Sequence, residues 1–120
     1  MLDTRKLQEL DNHYDQEIRK IHHSREELED AFRLFMARTD KLRETVYQVA
    51  LSQGCELPQE AQMYLYQMEH NQDAFLVEFN AHMDELEEKQ IQIRKDYDNQ
   101  VDNLYMEAQR QASKEERTEI

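Results

Sequence analysis

Apolar residues recur at intervals of seven along the first half of the chain. This spacing places one narrow apolar stripe along a helix, as in a coiled coil. It predicts a first helix over about residues 3–51, which contain no Gly or Pro. The stripe consists of Leu7, Tyr14, Ile21, Leu28, Phe35, Leu42 and Val49, with Ile18, Phe32 and Val46 at alternate positions.

A second apolar stripe follows Gly54, the single glycine of the chain. Glycine is suited to ending a helix, and Pro58 to the first turn of the next one. We therefore predict a turn at 52–57, a second helix over about 58–112, and a frayed, charged tail at 113–120. The second stripe consists of Ala61, Leu65, Met68, Phe75, Phe79, Leu86, Ile93, Tyr97 and Leu104.

Folding the chain back at Gly54 pairs residues whose numbers sum to 110 or 111, so that like residues meet in most layers. This pairing predicts an all-α fold, namely a long antiparallel two-helix hairpin with coiled-coil-like packing. The hairpin is expected to form one domain over 1–112, and it can complete a larger helical bundle with a partner. We call the line of contact between the helices the seam, and in it Thr39 faces Gln72 as a polar layer that disfavours slipped registers. The predicted core is Tyr14, Ile18, Leu28, Phe32, Phe35, Leu42, Val49, Met68, Phe75, Phe79, Leu86, Ile93 and Tyr97.

Apolar residues near the turn exceed what one seam needs. A broad or second apolar face on a long helix indicates burial against something else, either another protein or a second copy in a homodimeric four-helix bundle. Residues outside the main stripe include Ala31, Tyr47, Leu51 and Met63. The predicted partner interface is Leu34, Met36, Tyr64, Tyr66, Leu76 and Val77, and its anchors are Phe32, Phe35, Tyr64, Phe75 and Phe79.

The chain is acidic, with a formal net charge of -12, and no Lys or Arg occurs from Glu44 to Glu88. Nucleic acids and anionic membranes need basic patches, so neither is expected as a partner. The acidic stretch is either a solvated surface or an attraction for a basic partner. Without an 18-residue apolar run or an N-terminal apolar region, we expect neither membrane insertion nor a conventional signal peptide.

No set of residues predicts catalysis or metal binding. Gln67 and Phe79 stand three residues before His70 and His82, where a di-iron bundle would carry Glu. Cys55 has no His nearby to act as a base, and its solitary occurrence fits a reducing compartment. We therefore expect a protein that is not an enzyme and that needs no cofactor.

The two-helix pattern, the acidic, Trp-free composition and the Ser52-Gln53-Gly54 turn near mid-chain resemble the WXG-like partner proteins of bacterial type VII secretion. The resemblance is greatest to the small helical proteins that accompany LXG-domain toxins. It implies a targeting factor or chaperone that packs along the helical N-terminal domain of a toxin, with or without a second small helical protein. It also implies that the chain stays in the cytoplasm or leaves with its cargo by a signal-peptide-independent route.

Two features depart from the family pattern. Ser52 stands where the WXG motif has Trp, and no tyrosine is followed four residues later by Asp or Glu, which is the spacing of the export signal. The resemblance therefore implies an accessory that stabilises the cargo, with the export signal carried by another small partner.

Overall fold

The computed structural model describes residues 1–54 and 56–118. It contains two α-helices, α1 over Thr4–Ser52 and α2 over Gln59–Thr118. No strand occurs within the described ranges. The chain is therefore an all-α helical hairpin, which confirms the predicted fold class.

Side-chain and backbone hydrogen bonds mark both ends of α1. The Asp3 carboxylate accepts a hydrogen bond from the backbone N–H of Lys6 at 3.2 Å, which is the geometry of a residue that caps a helix N-terminus. At the other end, the Ser52 hydroxyl donates to the carbonyl of Val49 at 2.7 Å. These bonds satisfy backbone groups that the first and last turns of a helix leave without partners inside the helix.

The turn contains the predicted residues. Gly54 has a φ of 129°, a conformation that residues with a Cβ rarely adopt. The carbonyl of Pro58 accepts the backbone N–H of Gln62 at 3.0 Å, one helical turn on, so proline stands at the entry to α2 as expected. Cys55, which was expected in this loop, lies outside the described residues.

The second helix is longer than the sequence pattern suggests. It continues six residues past the expected end near Ala112 and reaches Thr118, so the predicted frayed tail is helical over 113–118. Residues 114–117 are Lys, Glu, Glu and Arg, all of which favour helix without needing a packing partner. Residues 119 and 120 lie outside the described residues.

Contacts divide the predicted single domain into two compact units, each built from parts of both helices. The terminal unit comprises Met1–Ser24 and Leu86–Ile120, and the turn unit comprises Arg25–Glu85.

In the terminal unit, the predicted register is confirmed by a pair of tyrosines. The ring centroids of Tyr14 and Tyr97 lie 4.7 Å apart, with ring planes tilted by 34°. Ile21 is the most deeply buried apolar residue of this unit among those described, at 4% exposure. The apolar stripes of the two helices therefore meet as the numbering rule predicts.

In the turn unit, phenylalanines carry the same register. Phe35 stacks on Phe75 with ring centroids 4.2 Å apart, and Phe32 stacks on Phe79 at 4.4 Å. Met68, which stands seven residues before Phe75, is buried.

Most of the other predicted core residues, taken over both units, are half-buried. They are Tyr14, Ile18, Leu28, Phe32, Phe35, Phe75, Phe79, Leu86, Ile93 and Tyr97.

Two core predictions are wrong. Leu42 and Val49 are 50% and 51% exposed, whereas Thr39 and Ala50 are buried. Beyond Phe35 the inward positions of α1 follow steps of four, four, three and four residues, through positions 39, 43, 46 and 50. A straight helix drifts about 20° per seven residues from a strict seven-residue repeat, and this drift moves Leu42 and Val49 to the flank of the seam.

The polar layer also differs from the prediction. The Thr39 hydroxyl donates to the carbonyl of Phe35 in its own helix at 2.9 Å. Gln72 instead accepts a hydrogen bond from the Arg43 guanidinium at 2.7 Å, and its amide donates to the sulfur of Met36 at 3.8 Å. The polar contact between the helices therefore joins Gln72 to residues three before and four after Thr39, the residue expected to face it.

Candidate partner-binding surface

The turn unit exposes large apolar side chains that its own packing does not cover. Tyr66 is the most exposed of the predicted interface residues, at 76%, and Val77 follows at 68%. Water-exposed apolar area of this kind is common at sites of protein–protein contact. The predicted interface residues that the structure exposes are Leu34, Tyr64, Tyr66, Leu76 and Val77.

Met36 does not belong to this exposed set. It is half-buried, and its sulfur accepts the hydrogen bond from Gln72 of α2. Met36 therefore contributes to the contact between the helices, and its place in the partner interface stays a prediction. A flexible thioether suits such a mixed polar and apolar position.

The exposed interface residues do not share one face. Successive residues of a helix are about 100° apart around its axis, so Tyr64 and Tyr66 lie on different sides of α2. Tyr66 and Val77, which are eleven residues apart, share a side. The turn unit therefore carries more than one apolar surface.

One of these surfaces forms an open groove between the helices of the turn unit. We call it the Leu42 groove, and its volume is about 300 Å³. Val49 lies two turns of α1 beyond Leu42 on the same flank. The side chains that line the groove include Phe35, Leu42, Tyr64, Gln67, Met68 and Asn71.

The four phenylalanines expected to anchor a partner pack against one another within the chain. All four are half-buried, and they stack on one another across the helices. Phe35 is also part of the groove lining. Among the five predicted anchors, Tyr64 alone is exposed.

Charge is distributed unequally between the two helices of the turn unit. The unit holds thirteen acidic and five basic residues, a formal net charge of -8, and every basic residue belongs to α1. Two of these pair with acidic neighbours in their own helix, Arg33 with Asp30 at 3.0 Å and Arg43 with Asp40 at 3.2 Å. The α2 segment therefore presents unbalanced negative charge.

The terminal unit contains a polar and aromatic cluster that the sequence pattern did not reveal. The Arg94 guanidinium lies 5.6 Å from the ring centre of Tyr14 and 5.7 Å from that of Tyr97. A hydrogen bond to Tyr14 raises the pKa of Arg94. The Tyr97 hydroxyl donates to the Asp11 carboxylate of α1.

This cluster links the helices by more than apolar contact. The hydrogen bond to Asp11, together with desolvation, raises the pKa of Tyr97. Asp11 is half-buried. It stands three residues before Tyr14 of the apolar stripe, and this helical spacing was the sequence signal that could have indicated its contact with Tyr97. A cation over aromatic rings adds a further attraction, so the cluster holds the two helices together.

The described ranges meet neither the requirements of a metal site nor those of a membrane-crossing helix. Over residues 1–54 and 56–118, no group of three or more His, Cys, Asp or Glu side chains could hold a metal ion. No helix in the same ranges is long and apolar enough to cross a membrane. His82 lies 3.8 Å from Glu85 in the same helix, and both side chains are exposed.

Comparison with models of protein families, with curated proteins and with solved structures gave no match.

Proposed function

We propose that the chain is a non-enzymatic adaptor or chaperone that packs along the helical N-terminal domain of an LXG-type toxin and supports type VII secretion. A second small helical protein completes the assembly and carries the export signal. The adaptor works in the cytoplasm, where it covers its cargo before export, and it leaves with the cargo if the complex is exported intact.

The exposed apolar surface of the turn unit is the observation that supports this function most directly. Leu34, Leu76 and Val77 are all exposed in the chain alone, and a partner that contacts more than one face of the turn unit would bury them. Association that removes such side chains from water is favourable by about 25 cal/mol for each Å² of apolar surface. The half-buried seam is consistent with helices that gain further packing from a partner.

Co-expression with the toxin encoded beside the chain tests the proposal. Charged substitutions at Leu34 and Leu76 should abolish co-purification of the toxin and leave the far-UV circular dichroism of the chain unchanged. Ile91→Asp is the matched control, because Ile91 is equally exposed but lies in the terminal unit. Retention of the toxin by the Leu34 and Leu76 variants would refute this interface.

A homodimeric four-helix bundle that serves as a structural spacer is the second candidate. It is supported by the small core, because Ile21, Ala50 and Met68 are the buried apolar residues among those described. A second copy could cover the remaining half-buried seam. Light scattering separates the two candidates, since a stable dimer without any partner favours the spacer and a monomer favours the adaptor.

A further inference from the structure

We propose that the Leu42 groove of the turn unit binds a basic amphipathic α-helix of a partner protein. The apolar face of that helix contacts Leu42 and Tyr64, and its flank next to α2 carries Lys or Arg. This proposal deepens the adaptor function above by naming a surface and the chemistry of its ligand, but it does not require the ligand to be a toxin.

The shape of the groove suits a helix. Its apolar lining comes from both helices, with Phe35 and Leu42 on α1 and Tyr64 and Met68 on α2. A third helix laid between two others packs its apolar side chains into such a depression. Leu42 and Tyr64 are half exposed in the chain alone, so both have surface left to bury.

The charge on the α2 side of the groove favours a basic ligand, although Arg38 lies on the α1 side, three residues after Phe35 and four before Leu42. Glu60 borders a second surface depression together with Tyr64 and Gln67, both of which also line the groove. Glu78 follows Glu60 by eighteen residues, so the two lie on the same side of α2 about 27 Å apart. The α2 segment over Gln59–Glu85 contains no Lys or Arg to neutralise them.

The same charge disfavours a second copy as the occupant. Two turn units in contact would bring together two units that each carry a formal net charge of -8. Like charges across an interface weaken association, whereas complementary charges speed encounter and exclude wrong partners. A basic helix therefore fits the groove better than this chain does.

A pair of synthetic peptides provides the test with the full-length chain. Both are about 20 residues long, long enough for a helix of about 30 Å, and carry Leu at helical spacing with either Lys or Glu at the remaining positions. Fluorescence anisotropy should detect binding of the Lys peptide and not of the Glu peptide. The affinity for the Lys peptide should fall as salt is added.

Matched double variants locate the binding site. Leu42→Ser with Tyr64→Ser should weaken binding of the Lys peptide about tenfold, because apolar anchors at the centre of a contact dominate its affinity. Ile91→Ser with Tyr105→Ser is the control, since these residues have the same exposure, 51% and 50%, but lie in the terminal unit. The control should stay within about twofold of the wild type.

A second pair of variants tests the role of charge. Glu60→Gln with Glu78→Gln should weaken binding about threefold, as expected for exposed charge pairs. Glu69→Gln with Asp73→Asn removes the same charge from the other flank of α2 and should have less effect. Equal losses from both pairs would mean that net charge alone attracts the peptide and would overturn the groove assignment.

Three further results would overturn the proposal. The first is failure of the wild type to bind the Lys peptide, and the second is equally strong binding of the Glu peptide. The third is a homodimer that disappears in the Leu42 and Tyr64 variant, which would assign the groove to a second copy.

Co-purification of the toxin tests the adaptor function separately. Peptide binding without toxin binding would support the groove and contradict the toxin as the cargo. Toxin binding that the Leu42 and Tyr64 variant does not weaken would show that the toxin contacts another surface, and the peptide measurements alone would then decide the groove.

Discussion

Phe35 and Phe75 stack across the two helices of the turn unit, with ring centroids 4.2 Å apart and planes inclined by only 13°. Their numbers sum to 110, so this one contact sets the register of the surrounding layers. Phe32 and Phe79 repeat it one turn away. The stability of the unit should therefore depend on a small number of aromatic layers.

Replacing either ring of this pair should destabilise the chain and reveal coupling between the helices. We expect Phe35→Ala and Phe75→Ala each to cost about 2 kcal/mol, less than for a fully buried ring because both rings are only half-buried. A double-mutant cycle in urea should give a coupling energy of about 0.5–1.5 kcal/mol. Ile91→Ala, at an exposed site, should cost under about 0.5 kcal/mol, and a coupling energy of zero would contradict the stacking.

The exposure difference between neighbours Val49 and Ala50 predicts opposite tolerance to added volume. Ala50→Leu should lower the free energy of unfolding by about 1–3 kcal/mol, because a larger side chain must enter a closely packed position. Val49→Leu should change it by less than about 0.5 kcal/mol. Urea unfolding followed by far-UV circular dichroism measures both, and the reverse order would restore Val49 to the seam.

The hydrogen bond from Tyr97 to Asp11 predicts a loss of stability at alkaline pH. It raises the pKa of Tyr97, so its stabilising effect is complete below the unfolded-state value of about 10 and is lost as the pH rises through the higher folded-state value. The urea midpoint of the wild type should fall more steeply above about pH 10 than that of Tyr97→Phe. Tyr105→Phe, at an exposed site, should behave as the wild type, and parallel curves for Tyr97→Phe would exclude this contribution.

Gly54 should resist substitution for a reason that lies in the backbone alone. A Cβ added there would meet no atom within 4 Å, but the φ of 129° strains any residue that carries one. Gly54→Ala should therefore cost about 1–2 kcal/mol in the free energy of unfolding. Gln53→Ala provides the comparison and should cost less than about 0.5 kcal/mol. If Gly54→Ala left the free energy of unfolding unchanged, the turn would have to adopt another backbone conformation without cost.

The helices, the turn and the register were predictable because each has a local or repeating signal. Stripes of apolar residues specify a helical face, and the lone glycine and proline mark the turn. The numbering rule follows from matching like residues about Gly54, and both Tyr14–Tyr97 and Phe35–Phe75 obey it. Long, strongly periodic segments leave few alternative folds.

The prediction failed where a fixed repeat was extended too far. The seven-residue series assigned Leu42 and Val49 inward, but an α-helix has about 3.6 residues per turn, and the inward set moves by one residue after Phe35. Val49 and Ala50 are adjacent and both apolar, so composition could not separate them. The same error hid the Leu42 groove, because the residue that names it had been assigned to the core.

Side-chain networks were the least predictable part of the molecule. The contact of Gln72 with Arg43 and Met36, and that of Tyr97 with Asp11, depend on the reach of individual side chains. No periodic pattern encodes such a reach. The candidate surface was predictable as a region with more apolar residues than one seam needs. Its division among several faces became clear only from the inward direction of each helix in the structure.

The eleven-residue spacing that carries Thr39 and Ala50 to the same inward side constrains how the turn unit can change its length. Deleting one residue between them would rotate Ala50 by about 100° and expel it from its place against α2. Insertions or deletions in this arm should therefore be tolerated in whole three-turn blocks, and with a matching block in the opposite arm. Homologous chains of different size should differ by such paired increments.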